Sequence, residues 1–155
     1  MMTAQANQTN PDPFDLTRFL RAQDGVYDQA LAELRHGRKE THWMWFIFPQ
    51  LDGLGSSPTA RQYAIKEIAE ARAYLDHAVL GSRLLECSQA LLKLPGHDAT
   101  EVLDFPDDLK LKSCMTLFAQ VSDPVSVFER VLAKYFHGQP DHRTLELLRA
   151  AGGKE

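Results

Sequence analysis

The sequence predicts an all-α protein: a compact, single helical domain spanning residues 14–151. Three observations predict it. Apolar residues recur at helical spacing along most of the chain, most clearly as Leu80, Leu84, Cys87, Leu91 and Leu94, at steps of 4, 3, 4 and 3. No two alternating segments are joined by a tight turn, and valine and isoleucine are sparse, which disfavours a sheet. At 155 residues the chain suits one domain, large enough to bury about two thirds of its unfolded surface.

Residues 1–13, polar and small with two prolines, read as a disordered leader. Asp15 is the expected N-cap of a first helix carrying Leu16, Phe19, Leu20 and Gln23, which Asp24-Gly25 ends. A second helix, residues 26–35, sets Tyr27, Ala30, Leu31 and Leu34 on one face and stops at Gly37. Residues 37–55 follow and contain both tryptophans. Within them, residues 43–48 (WMWFIF) show no polar alternation, so either a buried strand or a buried helical turn fits. Pro49 holds Phe48 extended, and DGLGSSP reads as a loop long enough to line a cleft.

Helical spacing resumes over residues 59–75, with an interruption near Lys66-Glu67. Asp76 is the expected cap of the leucine-striped helix, which Pro95-Gly96 stops; residues 99–103 form a short helical turn. Asp107 is the expected cap of a helix bearing Leu111, Met115, Phe118 and Val121. Asp123-Pro124 is set to start another as N-cap and N1, with Phe128, Val131, Leu132, Tyr135 and Phe136 inward and Gly138 as its stop. Asp141 caps a last helix with Leu145, Leu148 and Ala151, and residues 152–155 fray. No internal repeat is present.

Charge and motifs exclude several classes of function. With 17 basic against 21 acidic residues, net −4, the chain offers no general nucleic-acid or membrane surface, although a local cationic pocket remains open to it. The N-terminal stretch lacks the basic and apolar regions of a secretory signal, and no apolar run is long enough to span a bilayer, so a cytoplasmic location is expected. Cys87 and Cys114, both in apolar-periodic contexts, read as free core thiols. No GxSxG, glycine-rich phosphate loop, HExxH or CxxC occurs, and the six histidines form no i,i+4 pair. Neither a metal nor a cofactor is expected.

The polar candidates cluster around the tryptophans. Arg38 and Lys39 can meet an anion, Glu40 and His42 can serve as acid or base, and Trp43 or Trp45 can stack a ring. Against this, His42 reads equally as a helix-terminal surface residue and both tryptophans as core, with Trp45, Phe46 and Phe48 the segment on which the helices pack. Gln50 and Asp52 enter the loop, where they serve a ligand or only a turn. Lys110 and Ser113, three apart on one helix face, can meet a phosphate, although a solvated helix face has the same pattern.

The segments FLRAQ, YDQALAELRHGRKETHWMWFIFPQLDGLG, EARAYLDHAVLGSRLLE, LKLKSCMTLFAQ and FHGQPDHRTLELL together resemble the DUF1810 family of small bacterial proteins. Some members carry the label calpastatin, for which the residues give no support. The family is similar, remotely, to the YbiA-like or NADAR superfamily. That resemblance implies an orthogonal helical arrangement and hydrolysis of N-glycosidic bonds in ADP-ribosyl or ribosylamine substrates. It also implies a pocket flanked by the helix from Phe19 to Gln23 and the 37–43 stretch, with a further wall from Lys110 to Phe118. On that reading Glu40 or Asp52 stabilises an oxocarbenium-like state or activates water, and His42 serves the leaving group. Arg38 or Lys39 holds phosphate and Trp43 or Trp45 stacks the base. Two other functions fit the same residues: binding of a nucleotide-like or ADP-ribosyl ligand without turnover, and a helical protein-interaction module marked by an exposed apolar patch rather than a polar cleft.

Overall fold

A helix whose second half is buried on every side holds the molecule together. In the computed structural model, which describes residues 11–152, the helices are α1 (Thr17–Gln23), α2 (Tyr27–His36), α3 (Met44–Ile47), α4 (Pro58–Gln62) and α5 (Ile68–Asp76). They continue as α6 (Leu80–Lys93), α7 (Ala99–Leu103), α8 (Asp107–Ala119), α9 (Val127–Phe136) and α10 (His142–Gly152). Every residue of α8 from Ser113 onward is buried. Such a helix needs its polar side chains satisfied internally. Ser113 Oγ donates to the Leu109 carbonyl (3.2 Å) and Thr116 Oγ1 to that of Lys112 (2.8 Å). Helices α5, α7, α9 and α10 pack on α8, while α6 contacts α2, α3, α5 and α9. The all-α class is as the sequence predicts. An isolated parallel bridge, Leu51 to Ile65, is the sole β pairing among the described residues.

Aromatic rings run through the centre. Phe19 meets Tyr74 edge-on (5.0 Å, 89°), Tyr74 meets Phe118 (5.4 Å), and Phe118 meets Phe128 (5.8 Å). Full burial of such a side chain stabilises by roughly 1.5–3 kcal/mol, and these ring pairs add to that. Cys87 and Cys114 are buried free thiols. Burial pushes Cys87 up to about 12 and Cys114 well above the ordinary thiol range, so neither is a ready nucleophile.

Several boundaries differ from expectation for identifiable reasons. The first helix is capped by Asp12, whose carboxylate accepts from Leu16 N (2.7 Å) and from Thr17 N and Oγ1, while Asp15 has a positive φ of 54°. Residues 1–10 of the expected leader, and 153–155 of the expected tail, lie outside the described residues. Residues 43–48 resolve to the helical alternative as α3. The 59–75 stretch splits into α4 and α5, because Ile65 pairs with the 50–52 backbone instead of continuing a helix. His77 Nδ1, not Asp76, caps α6 by accepting from Val79 and Leu80 N–H. Pro106, not Asp107, occupies the position before α8, and Asp107 is its first helical residue. Ser126, not Asp123, caps α9, since Asp123–Ser126 closes a turn first. Asp141 caps α10 as expected, accepting from Thr144 N (3.0 Å).

Three polar side chains, the partly buried Arg18 and the buried Gln23 and Glu33, fix the layers around the aromatic segment. Arg18 donates to the Gln62 and Ala64 carbonyls and pairs with Glu70 at 2.8 Å, clamping α1 to the α4–α5 connection. Gln23 donates to the Phe46 carbonyl (2.8 Å) and accepts from Arg83 (3.0 Å), joining α1, α3 and α6. Glu33 on α2 gathers the turn ahead of α3. It accepts from Glu40 N (2.8 Å), Thr41 N (3.0 Å), Thr41 Oγ1 (2.7 Å), Trp43 Nε1 (2.8 Å) and Gln29 Nε2 (2.9 Å). Among the described residues no buried side-chain nitrogen or oxygen lacks a hydrogen bond. The core therefore holds no idle polar group aimed into a void, and a site must be sought at the surface.

Candidate functional site

The two tryptophans have opposite settings, set by the single helical turn between them. Trp43 precedes α3, is 0% exposed, and gives its indole N–H to Glu33. It has no face to offer a ligand. Trp45, one turn-face away, is only half-buried and opens on a groove of about 430 Å³. The expectation that Trp45 is core and Trp43 a pocket wall is thus inverted, while Phe48 is core as expected and Phe46 is half-buried against that core. A continuous apolar run carries no periodicity from which to tell the two faces apart.

Three stretches build the groove. The 50–57 loop supplies Gln50 and the small residues Gly55, Ser56 and Ser57. The first two turns of α8 supply Leu109, Lys110 and Ser113, and Asp141 ahead of α10 closes one side. The loop is held in place by its backbone, Ile65 N donating to Gln50 O (2.9 Å) and Asp52 N to Ile65 O (2.8 Å). Gly55 must lack a side chain, because a Cβ there would lie 2.7 Å from the Ala60 Cβ. Ser57 caps α4 with Pro58 in its first turn, and Ala60 of that helix also lines the groove.

Charge is concentrated at one end. Lys110 Nζ lies 5.0 Å from the Trp45 ring centre, over its face, and 3.4 Å from Asp107 Oδ1. Asp107 Oδ2 is 3.0 Å from Lys39 Nζ, which itself sits 5.3 Å from the Trp43 ring centre. Two ammonium groups therefore share one carboxylate. Lys39 has a side chain only 10% exposed, Lys110 one 25% exposed, so Lys110 is the cation the groove presents. At the other end Asp141 Oδ2 accepts from both the backbone and hydroxyl of Thr144, and Asp141 N donates to Thr116 Oγ1 (2.8 Å). Leu109, which lines the groove, is 51% exposed.

Of the residues expected from the sequence to bind ligand, Gln50, Lys110 and Ser113 meet on this groove, with Lys39 joined to them through Asp107. The others are elsewhere. Gln23 is 1% exposed and committed to Phe46, Tyr74 and Arg83. Arg38 is exposed, near Asp104 (3.8 Å) and the Glu101 carbonyl (3.3 Å). The expected catalytic residues Glu40, His42 and Asp52 are exposed and do not converge with one another at the groove. Glu40 and His42 ride on the turn that Glu33 pins. Asp52 faces Lys66 (3.8 Å) across a different hollow of about 560 Å³, lined by Ile68, Leu147 and Leu148. That hollow is larger, but Lys66 on its wall is matched by two carboxylates, Asp52 and Glu67, and no aromatic ring lines it. Asp107 and Asp141 read from the sequence as helix caps, and nothing in the sequence singles out Glu33. Only the long-range contacts reveal their places.

The described residues form no group of three or more His, Cys, Asp or Glu side chains arranged to hold a metal. No described helix is long and apolar enough to cross a membrane.

A family model described as "Protein of unknown function (DUF1810)" matches residues 13–148. The crystal structure of the conserved hypothetical protein Rv1873 from Mycobacterium tuberculosis is similar throughout, with a TM-score of 0.86 and 53% identity over 88% of this chain and 98% of that one. No curated protein matches. The all-helical fold, shared with Rv1873, and the match over most of the sequence give one conclusion: the chain belongs to the DUF1810 family.

Proposed function

We propose that this protein binds a small phosphorylated ligand of the nucleotide or ADP-ribosyl class in the groove beside Trp45. The observation that carries the reading is the pairing of a half-open indole face with the Lys110 ammonium 5.0 Å from its centre, in a groove also lined by Gln50 and Ser113. An aromatic face suits a heteroaromatic base, an ammonium suits a phosphate oxygen, and amide and hydroxyl groups suit a sugar. The groove's volume is within the range of small-molecule sites. A protein-interaction module without a polar cleft fits this surface less well.

The test is a heat-stability shift with ADP-ribose and with AMP. Wild type is expected to be stabilised, since a ligand that binds only the folded state at 100 times its Kd adds about 2.7 kcal/mol. Lys110→Glu is expected to lose the shift while keeping its own melting temperature within a few degrees, because Lys110 is partly exposed and its ion pair contributes little to folding. Equal shifts in wild type and Lys110→Glu would place the ligand elsewhere.

Hydrolysis of an N-glycosidic bond, the reaction implied by the remote resemblance to the YbiA-like superfamily, is the second reading. One observation favours it: the Asp141 carboxylate on the groove wall, where it can face an oxocarbenium-like centre. Glu40 and Asp52, the acids that the resemblance implies for this role, lie outside that groove. Incubation with ADP-ribosylated DNA, ADP-ribosylated protein and ribosylamine intermediates separates the readings. Product that disappears in Asp141→Asn selects hydrolysis, and binding without product selects the non-catalytic protein.

A further inference from the structure

We infer that Asp107 is an internal counter-ion that makes the groove select ligands carrying both an anion and an aromatic ring, over either part alone. The inference rests on the ligand class proposed above and specifies how the site discriminates within it. In the free protein the Lys110 ammonium has two partners, the Asp107 carboxylate at 3.4 Å and the face of Trp45 at 5.0 Å. The cation therefore covers the ring face that a base would use. Asp107 also holds Lys39 at 3.0 Å, and that pair is the shorter and the more enclosed. Lys39 stays with the carboxylate, and Lys110, a quarter exposed and at the longer distance, is the ammonium free to swing.

A phosphate entering the groove offers Lys110 a stronger, doubly charged acceptor than its half-share of one carboxylate. Moving onto the phosphate, the ammonium leaves the Trp45 face, and the base can then stack there. A nucleoside without phosphate must displace the cation from the ring and brings it no acceptor beyond the Asp107 carboxylate it already shares with Lys39. Inorganic phosphate must compete with Asp107 without the stacking gain. The Asp107 charge thus sets a threshold that only the combined ligand overcomes.

Calorimetric titration of wild-type protein with AMP, adenosine and inorganic phosphate tests this without any substitution. AMP is expected to bind at least about tenfold more tightly than either part, the scale of one charge-assisted contact plus one stacked ring. Asp107→Asn removes the competitor and is expected to tighten AMP and inorganic phosphate binding by about 1.5- to 5-fold, the range of a partly exposed ion pair. A residue that merely shaped the groove would weaken binding when replaced. Adenosine binding as tightly as AMP, or weaker AMP binding in a folded Asp107→Asn protein, would overturn the counter-ion role and leave the groove assignment standing. No binding of any of the three would overturn both.

Discussion

Gly81→Ala is expected to be the most damaging small substitution in the molecule. Gly81 lies in the first turn of α6, where that helix passes the end of α5, and its own N–H donates to the His77 carbonyl at 2.9 Å. A Cβ built on it would lie 1.9 Å from the Leu75 carbonyl oxygen and 2.8 Å from the Leu75 carbonyl carbon. Both are backbone atoms, so no side-chain rotation relieves the overlap. One helix must move relative to the other, and α6 packs against α2, α3, α5 and α9. The expected cost is about 3–5 kcal/mol, a large part of the roughly 5–15 kcal/mol that holds a domain folded. Urea denaturation should show a much lower midpoint. A change within about 1 kcal/mol would mean that α5 and α6 approach less closely than described.

Glu33→Ala ranks next, and its effect should reach the site. Glu33 sits on α2, yet its partners are Glu40, Thr41 and Trp43, so it converts the turn after α2 into a fixed platform. That platform carries Lys39, whose ammonium holds Asp107 at 3.0 Å and thereby the charged end of the groove. Removing the carboxylate leaves the Trp43 indole N–H without a partner where no water reaches, while the Glu40 and Thr41 amides, in exposed residues, can find solvent. One buried unsatisfied donor costs about 1–3 kcal/mol, and losing the charged hydrogen bonds adds about as much again.

The same residue fixes an acid limit to stability. Burial alone would raise the Glu33 pKa, but hydrogen bonds from the Glu40 amide, the Gln29 side chain and Thr41 bring it down to about 2, from 4.5. A carboxylate depressed on folding stabilises the native state above its unfolded pKa and loses that contribution as pH falls toward the folded one. The contribution should therefore be present at neutral pH and vanish between about pH 4.5 and pH 2, with a magnitude of about 3 kcal/mol. Glu33→Gln should flatten that part of the stability profile. An unchanged acid limb in Glu33→Gln would assign the loss to other carboxylates.

The parts of this fold legible from sequence are those where a helix has one wet face and one dry face. The stripe of α6 shows Leu80, Leu84, Cys87 and Leu91 inward because solvent holds the other side, and all four are buried. Caps were less legible, since many Asp residues stand near helix starts and only one geometry wins. His77 displaces Asp76 at α6, and Ser126 displaces Asp123 at α9. The aromatic segment was legible as the centre of interest but not in its orientation. With apolar residues on every side, only the Glu33–Trp43 bond shows which indole faces in. The groove was half legible: Gln50, Lys110 and Ser113 were recognisable as polar groups beside apolar segments. Asp107 and Asp141 were hidden because a carboxylate at a helix start has an ordinary structural use. Glu40, His42 and Asp52 stand close in sequence to the tryptophans, yet none of them lines the groove beside Trp45.

The most direct measurement uses the fact that the chain has two tryptophans with opposite roles. Each indole N–H gives its own resonance in a nitrogen–proton correlation spectrum, and single Trp→Phe substitutions assign them. On titration with AMP the Trp45 resonance should shift progressively to saturation. That of Trp43, buried and bonded to Glu33, should stay in place. A Trp45 signal unmoved at millimolar AMP and ADP-ribose, or shifts confined to residues around the Leu147–Leu148 hollow, would contradict the assignment of the Trp45–Lys110 groove as the ligand site.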